Sequence, residues 1–461
     1  MTTLVKSELD EPVASTRDLI DYLARRAKPA VRWGIGAESE KLVVEAGTGE
    51  AAPFERIEAL LERLEGSDAW RGIREDGHLI ALIGESSSLT LEPGGQLELS
   101  GKLCADVHCC QRDLHRHIGQ ITREANLLGL TFLGLGAQPF TPLEKIDWVP
   151  KARYRVMAPY MERCGGMGQR MMKQSASLQV NLDFSDEADC MEKLRIALAL
   201  APLFYALFAN APLLEGRPTG YLSFRGPIWN DTDPDRTGLL PQMFRPGAGF
   251  ATYVDYALDV PMYFILRDGA FLNLTKERFT FRRYLAEGVE GHRATLSDWD
   301  LHLSTLFPEV RLRPQIEVRS PDSLPPHLTL SVAALLKGLL YDSAAREEIW
   351  SLFAGQSESD RQTLYRQSWK LGLKAPMDGR TLREVALDTL AIARRGLTRQ
   401  QRYNRRGEDE TVFLEGIEEI ADSGITLAER LLNRWPESRA EQVARLKRHC
   451  GFPGEQVYLN P

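Results

Sequence analysis

The sequence predicts an α+β fold, and three observations carry that prediction. Short apolar runs with strand periodicity occur between residues 31 and 319. Segments of helical periodicity interrupt them, and residues 331–461 are almost wholly helical and charged. Strands and helices mixed first, with helices alone last, point to a sheet with helices packed around it rather than to alternating parallel units. The expected organisation is a catalytic α+β body over 1–330 and a helical C-terminal part over 331–461 packed on the same body, the two forming one continuous domain.

Along the chain, "TRDLIDYLARRA" (16–27) and "PFERIEALLERLE" (53–65) have apolar residues at helical spacing and flank a strand in "VRWGIGAESEKLVVEA" (31–46). Strand-like runs follow at "GHLIALIG", "SSLTLEPGGQLELS" and "LTFLGLGAQP". A long helix is expected from Cys104 to Leu128, a strand at "SASLQVNLDF" and an apolar helix at 187–209. That last helix belongs to "LRIALALAPLFYALFANAPLL", which carries Arg195, Pro202 and Pro212 and so reads as a core element, not a membrane span. Residues 216–250 are dense in Gly, Pro and Asp, predicting a long and functional loop. One strand is expected over 310–319, "VRLRPQIEVR".

With 57 Lys+Arg against 64 Asp+Glu the formal net charge is −7 over 461 residues, which argues against a nucleic-acid or anionic-membrane surface. The start, "MTTLVKSELDEPVAS", has no basic patch followed by an apolar stretch, so no secretory signal is expected. Six cysteines show neither the density nor the spacing of a disulfide framework or zinc ribbon. The expected compartment is the cytoplasm.

Glu38 and Glu40 stand two apart inside the apolar strand 31–46, so both carboxylates project from one face. A solvated edge strand would explain that. So would a cation between two carboxylates withdrawn from water. The pattern recurs: Glu92 precedes a Pro-Gly-Gly turn, Gln96 and Glu98 follow two apart, and Gln179/Asn181 and Glu317/Arg319 repeat the spacing. Four amphipathic segments of this kind favour one converging polar face. Carboxylate and amide oxygens without thiols suit Mg²⁺ or Mn²⁺, and several such ions suggest a nucleotide.

Competing motifs fail on spacing. "GIGAES" and "GLGAQP" lack the third glycine of a dinucleotide fingerprint, and after Gly101-Lys102 a leucine, Leu103, stands where a P-loop needs Ser or Thr. Cys104 and His108 lie one helical turn apart, but no second Cys/His pair completes a zinc site.

With these residues in hand the sequence resembles the glutamate-cysteine ligase family, in the branch shared by plants and many proteobacteria. The resemblance is carried by "GAESEK", "LEPGGQLELSG", "GLGAQP", "PKARYRVM", "LQVNLDFSDEADC", "LSFRGPIWNDTDPDRTGLLP", "YVDYALDVPMYF" and "HLSTLFPEVRLR", from about residue 30 to 320, with weaker similarity through "GLLYD" to the C-terminus. It implies a glutamine-synthetase-like fold, in which a curved, mainly antiparallel sheet lines a funnel for Mg²⁺ and ATP. It implies ATP-dependent joining of the L-glutamate γ-carboxylate to the amine of L-cysteine through γ-glutamyl phosphate, the first step of glutathione biosynthesis.

Carried over by resemblance, Glu38, Glu40, Glu92, Glu98, Gln179, Asn181 and Glu317 match positions around the metals. Arg153, Tyr154, Arg225 and Tyr263 match positions around the amino-acid substrates and the transferred phosphoryl group, and Arg319, with Gln179, positions near ATP. Gln111 and Leu274 occupy cysteine positions of the plant regulatory disulfides, so that redox switch is not expected. A monomer or homodimer is expected. A relative using another amine, a metal-dependent hydrolase and a non-catalytic nucleotide sensor remain as alternatives, and ADP release separates the ligases from the other two.

Overall fold

The computed structural model describes residues 11–67 and 70–452; residues 1–10, the first part of the stretch read for a leader, lie outside the described residues. Among the described residues nine strands form one sheet: β1 Ile35–Glu45, β2 Arg71–Glu75, β3 His78–Ile83, β4 Ser88–Leu91, β5 Leu97–Ser100, β6 Leu130–Leu133, β7 Leu178–Leu182, β8 Val310–Leu312 and β9 Ile316–Val318. The order is β8-β9-β7-β1-β5-β4-β3-β2, and β6 pairs with the C-terminal half of β1. Every pairing in this sheet is antiparallel. The α+β expectation therefore holds, with a mainly antiparallel sheet at its centre.

β1 is flanked on both sides and its residues from Glu38 to Val44 are buried, which rules out the solvated edge strand. Between β4 and β5 the Pro93-Gly94-Gly95 turn is closed by Glu92 and Gln96. Gly95 has φ +83°, and a Cβ on Gly94 would stand 2.3 Å from the Lys173 carbonyl oxygen, so glycine is needed at both positions.

Two expectations are corrected here. The single strand over 310–319 is a hairpin, β8 and β9, because Pro314 cannot donate to the ladder and sits in the turn closed from Arg313 N–H to Gln315 carbonyl, 3.0 Å. The long loop at 216–250 contains a helix, Arg225–Asn230. Its Pro227 lies in the first turn, where the missing N–H costs nothing, and Gly226 lets Trp369 approach to 2.4 Å from where a Cβ would be.

Helices cover the sheet. Numbering those that matter for the site, α1 is Val107–Leu127, capped by the Asp106 carboxylate accepting from Cys109 N–H, and α2 is Ala152–Cys164. α3 is Glu187–Leu207, capped by Asp186, and it is buried along almost its whole length, as its apolar sequence predicts. Its one deeply buried cation, Lys193, rests 3.3 Å over the Trp33 ring and donates to the Asp183 carbonyl and the Asp189 carboxylate. α4 is the Arg225–Asn230 helix, and α5, Thr329–Leu340, packs on β1, β7 and α1. One hydrophobic cluster runs from Leu19 to Phe452 and takes residues from both sides of position 330. No single helix among the described residues is long and apolar enough to cross a membrane.

Candidate active site

Antiparallel register brings the predicted polar pairs together. Glu40 stands opposite Glu98, which stands opposite Thr90; Glu38 stands opposite Gln179; and Arg311, Glu317 and Asn181 form a third cross-strand row. Residues directly opposite on one face have neighbouring Cβ atoms, so these rows interact side by side. The apolar alternates, Val180 and Val318 among them, point into the core.

The hydrogen bonds of the two amides cross diagonally between rows, and those of Thr90 and Arg311 run along them. Asn181 Nδ2 donates to Glu38 Oε1 at 2.8 Å and Gln179 Nε2 donates to Glu40 Oε1 at 2.9 Å. Glu40 Oε2 accepts from the Ser177 N–H at 2.6 Å, and Glu98 Oε2 from Thr90 Oγ1 at 2.7 Å. Gln179 Oε1 accepts from Arg319 Nη1, so this amide links an acidic row to a basic one. Glu317 is fully buried between two arginines: Arg311 grips it with Nε and Nη2 at 2.5 and 2.8 Å, and Arg319 Nη1 reaches it at 3.0 Å.

Burial and charge act on these carboxylates in opposite directions. Glu38 is held well above the usual carboxylate range by burial first, then by the charges of Glu98 and Glu317. Glu40 is pushed up to about 7 by burial, Glu92 and Glu98, with Arg225 and Arg319 partly offsetting them. Burial would also raise Glu317, but Arg311 and Arg319 more than reverse it and bring it down to about 2. On the reverse face Lys41 donates to the Ser39 carbonyl at 2.7 Å, and burial brings it down to about 7 against the pull of Glu98 and Glu40.

A cavity opens on this face. Glu38, Glu40, Glu92, Glu98 and Gln179 line its sheet side, and Arg153, Tyr154 and Arg319 reach it as well. Asn181 and Glu317 adjoin it through the bonds given above. Arg225 and Tyr263 do not line it. Arg225 lies behind the wall, its Nη1 donating to the Ser320 carbonyl at 2.9 Å and its Nη2 to the Arg319 carbonyl at 2.8 Å. Tyr263 is a core residue, with Arg236 4.0 Å above its ring and Tyr160 packed edge-on. Neither side chain faces this cavity in the structure, since a long side chain in a polar motif serves backbone carbonyls as readily as a ligand.

Sequence reasoning missed Arg311, Gln96 as a wall residue, and the apolar side formed by Met157, Met171, Met172, Trp229 and Phe307. Arg311 carried a signal, since it shares the alternate spacing of "VRLRPQIEVR". Its pairing with Glu317 appears only once the hairpin is known.

The donor set fits a divalent cation in chemistry. Glu38 Oε2 is buried and takes no hydrogen bond, and two carboxylates held high by burial and by the charges of neighbouring glutamates are what a cation would relieve. As the side chains stand, no group of three Asp, Glu, His or Cys among the described residues is placed to hold a metal ion. Glu317 is committed to arginines, and Glu40 to Ser177 and Gln179. All six cysteines are free, and His108 packs against Phe413.

A model of glutamate-cysteine ligase family 2 matches residues 34–449. The chain is 41% identical over 428 residues to a chloroplastic glutamate–cysteine ligase of Brassica juncea, covering 92% of this chain and 82% of that one. To the chloroplastic enzyme of Medicago truncatula it is 40% identical over 435 residues, 93% and 84% of the two chains. The structure of a Francisella tularensis glutamate–cysteine ligase in complex with AMP superposes with a TM-score of 0.55 at 11% identity, covering 94% and 90% of the two chains, and so shares the fold. The cytoplasmic expectation is corrected by these relatives, whose names place them in the chloroplast. Cysteine spacing without a disulfide framework does not specify a compartment.

Proposed function

The chain belongs to glutamate-cysteine ligase family 2, and we propose that it joins the γ-carboxylate of L-glutamate to the amine of L-cysteine, with ATP converting that carboxylate to an acyl phosphate that the amine then displaces. This would be the first step of glutathione biosynthesis. The observation that carries the reading is one cavity with carboxylates Glu38, Glu40, Glu92 and Glu98 on its sheet side and Arg153, Arg311 and Arg319 facing the same space. AMP in the Francisella tularensis enzyme supports a nucleotide here.

Glu38, Glu40, Glu92 and Glu98 would hold Mg²⁺, which when bound supplies charge neutralisation for the phosphates. Arg319 and Arg153 would hold the transferred phosphoryl group through charge-assisted hydrogen bonds as its charge spreads in the transition state. Arg225 keeps Arg319 in reach by anchoring the carbonyls of residues 319 and 320. Trp229, Phe307 and the three methionines make an apolar wall that keeps water from the acyl phosphate. No side-chain nucleophile is needed, because the carboxylate is activated by phosphorylation.

The test is ADP release with glutamate fixed and a panel of amino acids as second substrate. Cysteine-dependent release, matched by γ-glutamylcysteine formed, is expected. Release that depends on another amine would transfer the reading to a related ligase, and hydrolysis without ADP would overturn it.

A further inference from the structure

Outside the site described above, a cleft opens between the last helix, Arg439–Cys450, and the turn before it. Arg434, Arg445, Arg448 and His449 line it. Glu441 is the one carboxylate among its described lining residues, and it already accepts from Ser438 Oγ at 2.6 Å. Arg445 braces the turn: its Nη1 donates to the Arg434 carbonyl at 2.7 Å, and its Nη2 donates to the carbonyls of Asn433 and Arg430. Arg434 is held there at φ +52°, a left-handed backbone that non-glycine residues avoid. Among the described residues no carboxylate pairs with Arg434 or Arg448.

The position of the proton on His449 follows from its neighbour. Asn210 is fully buried, and its Nδ2 donates to the Gly134 carbonyl at 2.8 Å and to the Ser323 carbonyl at 3.1 Å. Both amide hydrogens are thus used, so Asn210 Oδ1 must accept, and His449 Nε2, 2.9 Å away, must carry the hydrogen. Burial first, then the charges of Arg445, Arg430 and His327, bring His449 down to about 4, so the ring is neutral at neutral pH. Its Nδ1 is then a lone-pair acceptor, without a partner among the described residues, in a cleft lined by three arginines.

Three arginines favour a dianion, and a bare acceptor beside them requires a hydrogen that the anion itself carries. Hydrogen phosphate meets both demands near neutral pH: its charged oxygens accept from guanidinium N–H groups while its P–OH donates to Nδ1. Sulfate has the same shape and charge but no hydrogen, so one of its oxygens would face the Nδ1 lone pair. The dianion of a phosphate ester fails in the same way. We propose that this cleft binds free hydrogen phosphate, held by Arg434, Arg445 and Arg448 and distinguished from sulfate and from phosphate esters by His449 Nδ1. The site shares no lining residue with the sheet-face cavity and stands independently of the function proposed for it.

The test is the carbon–proton NMR signal of the His449 ring in the full chain at about pH 8, where the ring is neutral. Its disappearance in His449→Gln assigns it, and it is followed at constant ionic strength as phosphate, sulfate or glycerol 2-phosphate is added. Phosphate should move the signal saturably. Sulfate and glycerol 2-phosphate should bind roughly tenfold more weakly or worse, the effect of losing one hydrogen bond to a charged partner. Arg448→Ala, a change at an exposed side chain, should weaken phosphate several-fold with the melting temperature unchanged. A His449 signal that ignores phosphate overturns the site. A response to sulfate as strong as that to phosphate overturns the role given to Nδ1, and an equal response to glycerol 2-phosphate overturns the choice of free phosphate. All three comparisons use the wild-type chain, so they decide the matter whatever the variants do.

Discussion

Replacing Arg225 by lysine tests whether this arginine touches substrate or builds the wall behind it. In the structure its guanidinium makes two charge-assisted bonds, to the Ser320 and Arg319 carbonyls, and a longer one to Tyr205 Oη at 3.4 Å, and it lies 5.4 Å from the Trp229 ring centre. A lysine keeps the charge but presents one nitrogen where two carbonyls diverge, so at least one charge-assisted bond is lost. Such a bond contributes about 1.5 to 3 kcal/mol, and a buried carbonyl left without a donor adds to the loss, so Arg225→Lys should destabilise the fold by roughly 2 to 4 kcal/mol. Arg225→Ala should cost about 3 to 5 kcal/mol, because it also leaves nearby buried carboxylates, Asp322 among them, without their counter-charge. Urea unfolding measures the first effect, and kcat/KM for ATP the second, since a displaced Arg319 should weaken ATP use more than glutamate use. Unchanged unfolding together with a large loss in kcat/KM for glutamate would refute this reasoning and return Arg225 to the substrate.

Glu38→Gln should abolish most turnover with melting temperature held or raised, since it removes a charge disfavoured by burial and by Glu98 and Glu317, whereas Glu317→Gln should lose turnover and about 3 to 5 kcal/mol of stability by leaving two buried arginines undercompensated. Turnover over a Mg²⁺ titration beside melting curves separates the two patterns. Glu40 binds its proton more tightly folded than unfolded, so its contribution to stability is full below pH 4.5 and is lost as pH rises to about 7. Glu40→Gln should flatten the melting profile across that window, and an unchanged slope would contradict the assignment. All six thiols should titrate as free and dithiothreitol should leave activity unchanged; several-fold inactivation by reductant would argue for a disulfide.

The sequence by itself determined the class of fold and which acidic and amide side chains share a face of the sheet. Side chains two apart on a strand share a face whatever the strand pairs with, so Glu38/Glu40 and Gln179/Asn181 were legible as pairs from spacing alone. Burial of α3 was equally legible, because an all-round apolar helix has only one place to go. Tertiary structure alone decided which strands lie side by side, and with that which charges meet. Glu317 reads as one more carboxylate until the hairpin turned by Pro314 sets Arg311 opposite it and turns a metal-ligand candidate into the centre of an arginine clamp. Arg225 and Tyr263 stand in motifs as polar as those of Arg153 and Tyr154, yet one pair is held by backbone carbonyls and ring packing and the other faces the cavity. The physical reason is that strand periodicity is a local property of the backbone, whereas the partner of a long side chain is set by whichever carbonyl, ring or carboxylate a distant segment brings within its reach.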